Sequence, residues 1–494
     1  MNFFKKYFGL FLVLILSFWA IKPFFVPGFF PMHDDTQVAR VFEMGKMLGQ
    51  GVFPVRWVPD LGYGYGYPLF NFYAPLAYYV GGIFMLLGFD ALLATKLMMI
   101  VGIIASGVFM YLLAREFFRE WGGIVAGIFY LYAPYHAVDI YVRGDAAEFW
   151  AYAFIPLAFL GIYKRSVLIG SVGFAAIILS HNLTAMMVTP FLLIAILLNY
   201  YIAFKNKKPF ISNHPLARHR FVKAIAGGSL ILIFGLALST FYWAPALLEM
   251  KTTNVMSQIG GGADFRDHFV CIGQLWDSSW GFGGSIPGCI DGFSFKIGKL
   301  HILSVALSLL TLVYLKLKGN HFNNAYYLIV LSIIGFFISV FLMLDISKFL
   351  WESVSAMSFF QYPWRFLLLA SFFSSLIGGS LVLLLSRFRI MPYVVFVVLV
   401  SIVLFFNAKL FSPQTIINVN SDYYTNDRAL KWVASKTSDE FLPPNFKKPK
   451  SEHEVSDKPI LFKETNLEKV ANSASFIGLL VLIIGIILFK GKKI

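Results

Sequence analysis

Charged and imidazole side chains are scarce in this sequence, and several gather in short runs whose spacing suits proton transfer, phosphate binding or metal ligation. His33-Asp34-Asp35 sets two adjacent carboxyls beside an imidazole. Such a set holds a general base tuned by its neighbours, or a divalent cation. The alternative is that Asp34 or Asp35 N-caps the amphipathic stretch Val38 to Leu48, since Asp is a preferred cap. A second run, Tyr141-Val142-Arg143-Gly144-Asp145-Ala146-Ala147-Glu148, follows Pro134-Tyr135-His136. On a helix Asp145 and Glu148 share a face, and Arg143 suits a bidentate phosphate contact. An Arg–Glu ion pair is the structural alternative, because buried charges usually pair. His181-Asn182 and Gln361-Tyr362-Pro363-Trp364-Arg365 each lie at the edge of an apolar segment. A histidine at a helix end commonly just hydrogen-bonds, and Arg365 there can snorkel to a lipid phosphate. The stretch Leu61 to Pro68, with Tyr63, Tyr65 and Tyr67 between glycines, offers rings to a sugar or prenyl chain, or forms an interfacial aromatic belt. It is no nucleotide loop, because no Lys-Ser/Thr follows.

The elements that must position these residues are membrane helices. Of the 494 residues 58% are hydrophobic and 14% charged, too little polar surface for a soluble enzyme, a disordered scaffold or a disulfide-rich secreted module. The net charge of +15 does not mark a nucleic-acid binder, because the cations fall in short runs between apolar segments. Lys5-Lys6, Arg115 and Arg119, Lys164-Arg165, Lys205 to Lys223, Lys316 and Lys318, Arg387 and Arg389, and Lys490 to Lys493 follow the positive-inside pattern. The apolar stretch from about Phe8 to Val26 has no small-residue cleavage site and reads as a retained signal-anchor. Further spans are expected near 92–113, 121–138, 150–163, 166–180, 184–204, 224–247, 300–316, 324–344, 363–385, 390–408 and 474–489. Segment 70–88, if it crossed, would put the basic stretch 205–223 outside, so it is expected as a re-entrant or surface helix.

The reading is therefore an all-α polytopic membrane protein of about twelve transmembrane helices in the plasma (cytoplasmic) membrane, with both termini cytoplasmic. Residues 1–408 form the transmembrane region, with outer loops at 27–91 and 248–299. Residues 409–473 form an extracytoplasmic loop or reduced domain, and 474–494 the last helix and a basic tail. Cys271 and Cys289 share one outer loop, as a disulfide or as two buried thiols. The spans carry almost no charge, which disfavours a flippase or exporter for lipid-linked sugar. A non-catalytic envelope-assembly subunit is the other rival. Polar residues gather instead at the expected outer surface.

These runs resemble the GT-C integral-membrane glycosyltransferases: an acidic pair early in the first outer loop and an Arg-Gly-x-x-x-Glu element in the second. Oligosaccharyltransferase catalytic subunits look similar over about the first 160 residues. The whole chain is more similar to the bacterial membrane family labelled 6-pyruvoyl-tetrahydropterin synthase-related, whose label misleads about chemistry. That similarity lies in His33-Asp34-Asp35, Gly66-Tyr67-Pro68, Tyr141 to Glu148, Ser180-His181-Asn182, Trp280 to Gly283 with Asp291 to Ser294, and Gln361 to Arg365. It departs after Asp439-Glu440-Phe441-Leu442-Pro443, where only about thirty residues precede the last span although the stretch looks like the entry to an outer domain. The resemblance implies inverting transfer of a sugar from a polyprenyl-phosphate donor to a hydroxyl of a glycan, lipid or protein. In that implied mechanism Asp34 or Asp35 is the base, with Asp34 favoured and Asp35 then its support, Arg143 and Arg365 receive the leaving phosphate, and His181 stands behind them. Glu148 orients Arg143, or joins Asp35 and Asp145 as a ligand to Mg²⁺ or Mn²⁺. His33, Tyr67, Tyr141, Asp145, Gln361 and Trp364 would contact substrate.

Overall fold

The computed structural model describes residues 2–205, 215–255, 263–318, 324–385 and 390–488. The expected basic residues Arg387, Arg389 and Lys490 to Lys493 lie outside these, as does part of the basic stretch 205–223. The fold is almost wholly helical. Among the described residues there is no strand, only isolated backbone bridges such as Phe29 with Ile417.

The principal helices are α1 (Asn2–Leu16), α2 (Gln37–Gly49), α3 (Leu76–Leu86), α4 (Ala91–Leu131), α5 (Ala146–Lys164), α6 (Val167–Ser180) and α7 (Asn182–Lys205). They continue with α8 (Pro215–Leu248), α9 (Lys299–Leu317), α10 (Asn324–Met343), α11 (Leu367–Leu384), α12 (Met391–Asn407) and α13 (Asn466–Leu488). Among the described residues ten helices are long and apolar enough to cross a membrane, and the chain is multi-pass. The expected twelve segments are these ten, a second arm of α4, and α6, which is a shorter apolar helix.

α4 explains the difference in number. Its backbone leaves helical geometry at Arg119 (φ 61°, ψ −170°). The two arms then fold back on each other, so that a Cβ on Gly127 would lie 2.8 Å from the Gly107 carbonyl oxygen. Small residues at such a crossing let two backbones approach where lipid supplies no hydrophobic drive between helices. With this turn the membrane segments alternate in direction. The alternation brings 26–90, 132–145, His181, 249–255, 263–298, 344–362 and 408–465 to one end of the bundle. Arg115, Arg119, Lys164, Arg165, Lys316 and Lys318 lie towards the other end.

Two expected segments gain detail. Segment 70–88 is a short turn, Leu69–Phe72, and then α3, broken by Tyr73-Ala74-Pro75. The polar stretch 409–465, expected as part of a loop or reduced domain, packs on the first loop. Arg40 Nη2 donates to Ser438 Oγ at 3.0 Å, Tyr63 Oη to Asp439 at 3.0 Å, and Phe441 N to Tyr67 Oη at 3.0 Å. The cysteines form a disulfide, Cys271–Cys289.

Candidate functional site

The site is assembled by a break in helical geometry. After α4 the chain makes a short helix, Pro134–Val138, and a wide π turn, Asp139–Arg143, which ends on Gly144 at φ +65°. Glycine is required there twice over: the conformation is left-handed, and any Cβ would collide with the Met32 side chain. Asp145 then caps α5, its Oδ1 accepting from Glu148 N at 3.0 Å. The wide turn aims Asp139, Arg143, Asp145 and Glu148 at one another.

Arg143 is buried and paired with several groups at once. Nη1 donates to Asp139, to Glu148 Oε2 at 2.9 Å and to Tyr135 Oη at 3.1 Å, while Nη2 donates to Asp145 Oδ2 at 2.7 Å. Tyr135 also donates to Glu148. From the start of α11, Arg365 Nε lies 3.4 Å from the same Glu148 Oε2, and Nη1 donates to Phe360 O and to Gln361 Oε1 at 3.0 Å. The Trp364 ring lies 4.9 Å from the Arg143 guanidinium, a cation–π contact in a water-poor setting. Its Nε1 donates to Ser285 Oγ in the disulfide loop at 3.1 Å. The ion-pair alternative for Arg143 is thus what the geometry displays, in a network larger than a single pair.

Asp34 is stitched to this network through the backbone. His33 N donates to Val142 O at 3.1 Å, Asp34 N to Arg143 O at 2.9 Å, and Gln37 Nε2 to Gly144 O at 2.8 Å. The cap of α2 is Thr36, with no side-chain cap bond, so neither Asp34 nor Asp35 serves as its cap. The half-buried Asp34 carboxyl has no hydrogen-bond or ion-pair partner among the described residues. Burial first, then the charge of Asp145, pushes its pKa up to about 6, against the pull of Arg143, Arg40 and His33. Burial raises Asp139 well above the carboxylate range, with Glu148 adding to it. Burial also opposes the charge of Asp145, but Arg143 above all holds that carboxyl below its ordinary value.

His181, between α6 and α7, completes the cluster. One ligand atom each of Asp145, Glu148 and His181 lies within 4.8 Å of the others. His181 Nδ1 pairs with Thr184 Oγ1 at 2.8 Å, which leaves Nε2 as the ring nitrogen for a ligand. The structure therefore joins His181, not Asp35, to Asp145 and Glu148. Asp35 sits outside the set, raised to about 6 by burial and near the Tyr424 hydroxyl.

Two expected contact residues are placed elsewhere. Tyr67 is fully buried against Phe441, its hydroxyl accepting from Phe441 N. Tyr141 turns away from Arg143, its ring among Phe24, Phe30 and Phe411 and its hydroxyl donating to Ala20 O at 2.6 Å. His33 is at the exposed rim, Nε2 2.9 Å from Phe282 O. Arg40 and Asp139 belong to the site although the sequence reading did not select them, and Tyr135 joins it from the Pro134-Tyr135-His136 run. Arg40 could have been found: it lies three residues from Gln37 and four from Met44, on the buried face of α2. Asp139 stands four residues before Arg143, the spacing of a helical ion pair.

The chain matches no protein-family model. A protein of Lactococcus lactis subsp. cremoris (strain MG1363) described as uncharacterized is 25% identical over 264 residues, 50% of this chain and 41% of that protein. A crystal structure of the Archaeoglobus fulgidus oligosaccharyltransferase, in complex with zinc and sulfate, superposes with a TM-score of 0.39 at 12% identity. That superposition covers 91% of this chain and 59% of the other. The matched parts are thus under two thirds of either protein's length.

Proposed function

We propose that the chain is a membrane glycosyltransferase that moves a sugar from a polyprenyl-phosphate donor to an acceptor hydroxyl, with inversion. The observation that carries this is the Asp34 carboxyl, without a side-chain partner among the described residues and fixed beside a buried cluster of two arginines and three further carboxyls. Asp34 takes the proton of the acceptor hydroxyl, whose oxygen forms a bond to the anomeric carbon as the bond from that carbon to the phosphate breaks. A pKa near 6 suits a base at neutral pH, since the group is ionised and still basic. The leaving phosphate gathers negative charge, and fixed cations aimed at it lower the barrier most. Arg365, with fewer carboxylate partners than Arg143, is the better placed to receive it; Arg143 holds Glu148 and Asp145 in position.

The charges also leave room for a divalent cation. Asp34, Asp139, Asp145 and Glu148 outnumber the cations Arg143, Arg365 and Arg40, so a proton or a cation must offset the excess, and the raised Asp139 carboxyl is the protonic answer. Asp145, Glu148 and His181 Nε2 would hold the ion. A ligand set with imidazole favours Mn²⁺ over Mg²⁺. Such an ion, when bound, supplies further positive charge for the leaving phosphate.

The site end is assigned to the extracytoplasmic face, because the cations of the opposite end fit the positive-inside rule and the disulfide suits an oxidising side. The test is purified protein assayed with a panel of radiolabelled prenyl-phosphate sugars and mixed acceptors, with EDTA or Mn²⁺. Transfer from at least one donor, lost in EDTA and restored better by Mn²⁺ than by Mg²⁺, is expected. Turnover with none contradicts the proposal, and full activity in EDTA contradicts its metal part.

A further inference from the structure

The end of the first apolar segment and the end of α12 leave an open cleft of about 630 Å³ between them. The segments Tyr7–Phe25 and Met391–Leu410 both finish here, so the cleft lies at one membrane boundary, at the site end of the bundle. Trp19, Pro23, Phe411 and Pro413 make its apolar walls, and Lys22 and Lys409 bring two ammonium groups to it. Among the described residues neither ammonium group has an ion-pair or hydrogen-bond partner, and no carboxylate lines the cleft. Nearby Lys299, in contrast, is held by Asp277 at 3.0 Å. Exposed Phe18, Phe25, Phe405 and Phe406 continue the surface towards the apolar zone. The catalytic cluster is walled off: Phe411 packs edge-on to Tyr141, whose hydroxyl is tied to Ala20 O.

We propose that this cleft binds the phosphodiester headgroup of an anionic glycerophospholipid from the surrounding bilayer. Lys22 and Lys409 bracket the phosphate, Trp19 lies at headgroup level as indoles do, and the acyl chains run along the exposed phenylalanines. The unmatched charge selects an anionic lipid over a zwitterionic one. The lack of any carboxyl or imidazole in the lining marks the cleft as a holding site, where the bound phosphate is not a substrate. Its occupant steadies the junction of the first segment with α12, where Asn407 Nδ2 donates to Tyr132 O at 2.9 Å, just before the turn that builds the catalytic cluster.

The test is native mass spectrometry of the full chain in detergent, titrated with dioleoylphosphatidylglycerol, dioleoylphosphatidylcholine and a prenyl monophosphate. The wild type is expected to prefer phosphatidylglycerol over phosphatidylcholine. Lys22→Gln or Lys409→Gln should weaken phosphatidylglycerol about fivefold each and the pair about twenty-fivefold, from the usual worth of one cation near anionic lipid. Lys22→Arg with Lys409→Arg should keep the binding, and prenyl monophosphate should bind the wild type and the glutamine pair alike. Equal binding of the two phospholipids by the wild type, or undiminished phosphatidylglycerol binding by the glutamine pair, overturns the proposal. Loss of prenyl monophosphate alone in that pair reassigns the cleft to the donor and overturns it too. None of these outcomes depends on sugar transfer.

Discussion

Asp34 carries a cost of burial that none of its neighbours cancels by direct contact, and this gives it two measurable pH dependences. Its folded pKa of about 6 lies above the ordinary 3.8, so the folded chain binds this proton more tightly than the unfolded chain. The stability that follows is fully present below pH 3.8 and is lost as pH rises through about 6. Asp34→Asn should therefore melt higher than the wild type at pH 7.5, by at most about 3 kcal/mol before solvent screening, with the gap closing near pH 4. Thermal melts at the two pH values check this. The same ionisation should make kcat/KM of the wild type rise about tenfold per unit below pH 6 and level off above it. At this scale the sequence was informative where charge is scarce: Asp34, Arg143, Asp145, Glu148, His181 and Arg365 converge because few polar groups compete. It misled for Tyr67 and Tyr141, because a tyrosine in an aromatic chain can spend its hydroxyl on the backbone as readily as on a ligand.

At the scale of elements, the disulfide loop is a brace for the arginines. Ser285 Oγ receives the Trp364 indole and also lies 2.8 Å from His268 Nδ1, and the Tyr362 ring packs between His268 and Trp364. Ser285→Ala should remove one hydrogen bond on the indole, worth about 1 kcal/mol, and lower kcat/KM about fivefold. The melting temperature should stay within a few degrees, so steady-state kinetics beside a melt separates positioning from folding. Nothing in the sequence indicated this brace, since a serine in a Gly-rich loop reads only as a turn. The α4 hairpin was half legible. Hydropathy marked both arms, but the single left-handed residue that separates them is an arginine, not a glycine, and carries no turn signal.

Across the whole molecule, alternation of the helices gathers the polar segments at one end, the side on which hydropathy and charge placement lead us to expect the loops. The packing of 409–465 onto the first loop was not foretold, because its Lys, Asn and Pro content reads as solvated chain. One buried cation joins the distant parts. Arg56 Nη1 donates to Asn71 Oδ1 at 2.8 Å, and Nη2 to Phe241 O at 2.6 Å and to Asn472 Oδ1 at 2.7 Å. Glu249 adds a second tie, accepting from Asn71 Nδ2 at 3.1 Å and Thr465 Oγ1 at 2.7 Å. These bonds fasten α13 to α8 and to the first loop. Arg56→Ala strands several buried acceptors and should cost about 3–5 kcal/mol, seen as a lowered midpoint in thermal aggregation.

The central claim is that Asp34 is the base of a sugar transfer, and the direct measurement is the transfer rate of Asp34→Asn. Wild type and variant, each shown to be folded by a cooperative melt, are compared on one radiolabelled prenyl-phosphate sugar at saturating acceptor. The account predicts a rate lower by about 10²- to 10⁴-fold in the variant with donor binding retained. A variant that transfers sugar at the wild-type rate would contradict it.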